Sequence, residues 1–193
     1  MLPDNTLSAE PVPGQFLGAR ASVFPDKIDY IDGPIGLSNA NNGLEYQIWT
    51  AEAIADFVED FIYLSAPNTP PIRIYTGNGI TEVSLAFDHA GAAVVAFIEA
   101  GVAKLLWYDS VVNDYVVSII NGNVTNVRVA LDDLRRSQAQ NSDVILAYLK
   151  NGQLHYRQQR DRYEVEMLLD SRVWNALIRI GRGDNLRFQF QVV

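Results

Sequence analysis

Val83-Ser84-Leu85-Ala86-Phe87-Asp88 reads against Val127-Arg128-Val129-Ala130-Leu131-Asp132 at an offset of 44 residues. The match continues at an offset of 51: Val95-Ala96-Phe97-Ile98-Glu99-Ala100-Gly101 aligns with Leu146-Ala147-Tyr148-Leu149-Lys150-Asn151-Gly152. Leu105-Leu106-Trp107 then aligns with Leu154-His155-Tyr156, and Tyr115-Val116-Val117 with Tyr163-Glu164-Val165. Each copy is four short β-like runs joined by turns, the length of one propeller blade or one four-stranded meander. The offset grows because the second copy carries a longer loop over residues 133–143.

Working outward, the repeat predicts strands at 82–88, 93–99, 103–109 and 114–120, then at 126–132, 144–150, 153–159 and 163–169. Ala100-Gly101, Asn121-Gly122-Asn123 and Asn151-Gly152 mark turns, and Asn-Gly between alternating apolar residues is the strongest short hairpin signal. The two units, 82–121 and 126–170, are expected to superpose. Inward positions are Leu85, Phe87, Val95, Phe97, Leu105 and Trp107, matched by Val129, Leu131, Leu146, Tyr148, Leu154 and Tyr156.

Upstream, Leu44-Glu45-Tyr46-Gln47-Ile48-Trp49-Thr50 alternates apolar and polar residues and reads as a half-buried strand. Residues 51–62 fit helical spacing, and equally two short strands turning at Glu59-Asp60; the all-β context favours the strands. Residues 44–79 then form a first, degenerate unit. Leu186-Arg187-Phe188-Gln189-Phe190-Gln191-Val192 alternates cleanly, so residues 186–192 are expected to close a sheet with the first strand. Gly181-Arg182-Gly183-Asp184 reads as a turn before it.

Residues 1–43 read as an extended N-terminal arm. Five prolines break helix and strand, and isolated apolar anchors, among them Phe16, Phe24 and Tyr30, suit a segment lying over another surface. The fold class is therefore all-β: an arm, then a domain over 44–193 of repeated four-stranded antiparallel units, propeller-blade-like.

Composition bounds the chemistry. The chain has 193 residues, 48% hydrophobic and 20% charged, as an ordinary globular chain has. It has no cysteine, which excludes disulfides and thiolate metal sites. No run approaches the ~18 apolar residues of a membrane span, and the N-terminus lacks signal-peptide features, so no membrane insertion is expected. The net charge of −8 argues against nucleic acid as a partner. Residues 1–127 hold 4 Lys and Arg against 15 Asp and Glu, a net of −11; residues 128–193 hold 11 against 8, a net of +3. Such polarity can orient subunits in an assembly.

Motif searches point away from catalysis. His89 and His155 have no partner at metal-ligand spacing. There is no nucleophile elbow and no phosphate loop. Asp88, the best-placed carboxylate for hydrolysis, has Asp132 at the same repeat position, which suggests a turn carboxylate accepting backbone N–H groups. We expect no catalytic residue, cofactor or metal. Tyr156-Arg157-Gln158-Gln159-Arg160-Asp161-Arg162-Tyr163 is the densest polar segment. It reads as an outer strand whose arginines solvate an edge or meet a protein partner, which makes Arg157, Arg160 and Arg162 candidate interface residues.

Several stretches together resemble a small family of tailed-bacteriophage virion proteins. They are residues 143–149 and 152–163, Asp32-Gly33-Pro34-Ile35-Gly36-Leu37, Gly43 through Thr50, residues 82–88 and Leu186-Arg187-Phe188-Gln189-Phe190. The likeness runs from about residue 32 to the end. It implies a structural component of the virion, made in the host cytoplasm, in the tail, baseplate or fibre-attachment region. Its partners would be other virion proteins, with several copies in a symmetric assembly. The alternative is a receptor- or glycan-binding module using Trp49, Trp107 or nearby tyrosines.

Overall fold

The computed structural model describes residues 35–39, 46–55, 59–66, 69–88, 90–132, 143–182 and 188–193. They form fourteen strands in four antiparallel sheets, each sheet a run of consecutive strands. The first sheet is β1 (Ile35–Asn39), β2 (Tyr46–Ala55), β3 (Asp60–Ala66) and β4 (Thr69–Gly77). The second is β5 (Ile80–Phe87), β6 (Ala93–Glu99), β7 (Val102–Asp109) and β8 (Asp114–Ile120). The third is β9 (Val124–Leu131), β10 (Val144–Lys150), β11 (Gln153–Gln158) and β12 (Met167–Asp170). The fourth is a hairpin of β13 (Leu177–Arg182) and β14 (Phe188–Val192).

The repeat extends to backbone detail. Glu82 and Asn126, 44 positions apart, both take positive φ, +51° and +54°, and each sits where the first strand of its sheet breaks register with the second. Ala100-Gly101 and Asn151-Gly152 both have positive φ at two successive residues, as a two-residue hairpin loop of matching twist requires. Asp88 Oδ1 accepts the Ala90 and Ala92 amides at 2.9 and 2.8 Å, and Asp132 Oδ1 accepts the Asp143 amide at 2.8 Å. The recurring aspartates are turn residues.

The sheets stack face to face. A cluster including Ile62, Leu64, Leu85, Phe87, Val95 and Phe97 lies between the first and second. Another, with Val94, Ala96, Leu105, Trp107, Val129, Leu146 and Tyr148, lies between the second and third. A third, with Ala147, Leu149, Leu154, Leu177 and Ile180, joins the third and fourth. The leading strands follow one another, β5 touching β1, β9 touching β5 and β13 touching β9.

Three expectations change. A single inward face does not exist in the middle sheets, because both faces of each are covered. β6 and β10 are therefore buried at six consecutive positions. Within the expected inward set, Leu85, Phe87, Val95 and Phe97 face the preceding sheet, while Leu105 and Trp107 face the following one. Their partners divide identically: Val129, Leu131, Leu146 and Tyr148 backward, Leu154 and Tyr156 forward. The position-by-position match holds over the first two strands of each unit; on the third the ladders set Lys104 opposite Phe97 and His155 opposite Tyr148, so Leu105 and Trp107 take the places of Tyr156 and Gln158, two residues from the sequence alignment.

Second, the strand expected over 163–169 is the shorter β12, because residues 159–163 leave the sheet. Third, β14 does not close on the first strand. It pairs with β13, which occupies the stretch read as a turn up to Gly181-Arg182. Residues 35–39, counted with the arm, pair with β2 as β1, while the ambiguous 51–62 segment is strand through Ala55 and again from Asp60. The rest of the arm, with Phe16, Phe24 and Tyr30, lies outside the described residues, as do His89 and residues 133–142.

Candidate functional site

The arginine segment is a clasp between two sheets. After β11 the chain makes a 3-10 turn, Gln159–Asp161, then two residues of positive φ, Arg162 and Tyr163. That reversal carries the segment across the end of the second sheet. Gln159 Nε2 donates to Asp88 Oδ2 at 3.0 Å, Arg162 pairs with Asp109, and Arg160 pairs with Asp143 and, at 3.8 Å, with Asp132. The Tyr163 ring packs edge-on against Trp107 at 5.2 Å. Burial, then the negative charges of Asp88 and Asp143, push the Tyr163 phenol well above its ordinary pKa. Asp109 titrates below its ordinary value although burial opposes this, because Arg162 and backbone amides hold its charged form.

Arg160 and Arg162 are thus engaged within the chain, while their side chains stay 55% and 44% exposed. Their carboxylate partners lie 17 and 53 residues upstream, a distance at which local pattern carries no signal. We expect Arg162→Glu to lower the urea midpoint of unfolding, with the slope unchanged, because a buried carboxylate loses its partner and meets a like charge. The double exchange Asp109→Arg with Arg162→Asp should recover part of the loss. An unchanged midpoint in the single variant would refute the clasp.

Arg157 belongs to a second cluster, centred on Glu166. Glu166 accepts from Tyr148 Oη at 2.5 Å, Lys150 Nζ at 2.7 Å and Arg157 at 3.2 Å. Arg157 also donates to Tyr148 Oη at 2.9 Å and to the Tyr163 carbonyl at 2.8 Å. His155 stacks parallel on Tyr148 at 6.0 Å. Burial works against the Glu166 charge, yet the three donors hold its pKa at about 2. In the preceding repeat, Glu99 takes the place of Lys150 and Lys104 that of His155. There Lys104 pairs with Glu99, which also accepts from Tyr75 Oη at 2.9 Å. The two repeats build corresponding polar clusters from exchanged charges.

The first and second sheets diverge at their outer strands and leave an apolar cavity of about 440 Å³, lined by Leu64, Ile72, Ile74, Phe87, Leu106 and Tyr115. Tyr115 aligns with Tyr163, but where Tyr163 is buried, Tyr115 is 46% exposed. Val117 and Ile119 extend the same row along β8 at 43% and 55% exposure. β8 pairs with β7 alone among the described residues, and Tyr115 through Ile120 carry no charge. Of the other outer strands, β4 contains Pro70 and Pro71 and β12 is four residues long, while β14 is a five-residue uncharged edge paired with β13 alone among the described residues.

Trp107 is buried and donates to Ser118 Oγ at 3.0 Å, so it offers no ring face to a sugar. Among the described residues no cluster of three His, Cys, Asp or Glu side chains is arranged to hold a metal ion, and no helix is long and apolar enough to cross a membrane. No protein-family model, no curated protein and no solved structure matches this chain.

Proposed function

We propose that this chain is an assembly component of a tailed-bacteriophage particle that binds neighbouring virion proteins and carries out no reaction. On this reading the four sheets are successive blades of propeller type, built as a rigid stack that presents its outer strands to partners. The observation that carries it is the β8 edge: an outer strand paired on one side alone among the described residues, uncharged from Tyr115 to Ile120, with an exposed row of Tyr115, Val117 and Ile119 beside an apolar cavity. Such an edge accepts an extended segment of another protein, backbone hydrogen bonds supplying affinity and alternate side chains supplying specificity. The resemblance of residues 143–163 to virion proteins supports the same direction.

A lysine on that row tests the reading. Val117 and Ile119 are exposed in the isolated chain, so Val117→Lys or Ile119→Lys should leave its thermal melting nearly unchanged. A docked strand would bury the ammonium unpaired at a cost of several kcal/mol. Incorporation into particles should therefore fall by about tenfold or more, measured by the amount of chain in purified particles. Undiminished incorporation would remove β8 as the docking edge, and absence of the native chain from particles would sink the virion reading itself.

A further inference from the structure

The two copies of the repeat treat the space between sheets differently. Eight residues, 159–166, separate β11 from β12, and they set Tyr163 edge-on to Trp107 between the second and third sheets. Four residues, 110–113, separate β7 from β8, a turn too short to carry a ring into the space between the first and second. The aligned tyrosine, Tyr115, instead lines the cavity of about 440 Å³ at that place, its hydroxyl accepting the Ala93 amide at 3.2 Å. That volume lies within the range of ligand pockets, and its lining is apolar.

Charge differs in the same way. In the second copy, the segment that carries Tyr163 also carries Arg160, which pairs with Asp143 and lies 3.8 Å from Asp132. Asp88 takes the place of Asp132 in the first copy. It accepts three neutral donors, the Ala90 and Ala92 amides and Gln159 Nε2, and meets no cation among the described residues. Asp88 follows Phe87 and Asp114 precedes Tyr115, two of the residues that line the cavity, so one end of it is acidic. Residues 59–120 as a whole hold 2 basic against 7 acidic residues, a net of −5.

From these two differences we infer that the cavity seats an aromatic side chain of a partner's extended segment, one with arginine within a few residues of the ring. The third sheet supplies that combination from its own chain, as Arg160, Arg162 and Tyr163. Between the first and second sheets a partner supplies it: the ring lies against Phe87, Leu106 and Tyr115, and the guanidinium meets the acidic end. The inference rests on reading β8 as a docking edge, and it names the chemistry of what docks there.

The probe is a short synthetic peptide, blocked at both ends, with a central tyrosine and two arginines on a background of alternating valine and serine. One control replaces its tyrosine by alanine and another replaces its arginines by glutamate. Each is titrated into the full-length chain and followed through the methyl NMR signals of Leu64, Ile72, Ile74 and Leu106. The tyrosine–arginine peptide should shift these signals and bind about tenfold or more tighter than either control, since burying a large ring is worth that factor. Added salt should narrow its advantage over the glutamate control. Ile72→Trp, at a position 49% exposed, puts the chain's own ring at the cavity; it should keep the native melting curve and weaken the peptide by about tenfold. Equal affinity for the peptide and either control, or undiminished binding by Ile72→Trp, overturns the inference, as does failure of the peptide to bind. Binding that Val117→Lys abolishes but that ignores the ring removes this inference and leaves β8 as the docking edge. Ring-dependent binding by a chain absent from particles keeps this inference and removes the virion reading.

Discussion

Phe97→Ala lowers the free energy of unfolding by about 3–5 kcal/mol, the cost of emptying a large aromatic site in a packed core. Phe97 is fully buried between the first and second sheets, with the Tyr75 ring centred 4.6 Å away. Its neighbours Leu85, Val95 and Ile62 sit on strands tied into two ladders and cannot close the void without shifting them. Against a total of about 5–15 kcal/mol for a domain, that loss is large. Urea unfolding followed by the fluorescence of Trp107, in the adjoining cluster, measures it. A single transition moved to lower urea means that the stack unfolds as one unit. A loss below about 1 kcal/mol would refute the burial assigned to Phe97.

Glu166→Gln destabilises the chain by about 1–3 kcal/mol at neutral pH, because Lys150 and Arg157 lose the charge that they share and are left partly buried. The pH dependence has a definite sign. The folded pKa of Glu166, about 2, lies below its ordinary value of 4.5. A depressed carboxyl contributes stability that is complete above the ordinary value and lost as pH falls toward the folded one. The native protein should therefore lose stability steeply from about pH 5 down to about pH 2, and the variant should lose less over the same interval. Equal slopes in the two, measured by thermal melting at stepped pH, would show that Glu166 is not held by its donors.

How far the sequence carried differs by feature. Strand positions in the second and third sheets were legible because their signals are local. Asn151-Gly152 and Ala100-Gly101 take the two positive φ values that a tight hairpin loop demands. Asp88 and Asp132 were legible as turn residues for the same reason, since their amide donors lie within about a turn or at the far end of one loop. β13 was hidden because Gly181 and Gly183 resemble a turn, while its strand character depends on pairing with β14 and on burial of Leu177 and Ile180.

The clasp was not legible for a different reason. A run of Arg, Gln and Asp beside Tyr163 has the composition of a solvated edge, and nothing within it announces Asp109, 53 residues earlier. Alternation and turn chemistry act over a few residues, so the chain's own order determined its repeats, its hairpins and the pairing of consecutive strands. Which face of each strand is covered, and by what, is a property of sheets already formed. Leu105 and Phe97 look alike in sequence, and only the stacking of one sheet before and another behind sends them to opposite sides. The same stacking brings Arg162 to Asp109, because charge pairing and burial follow distance in space and not separation along the chain.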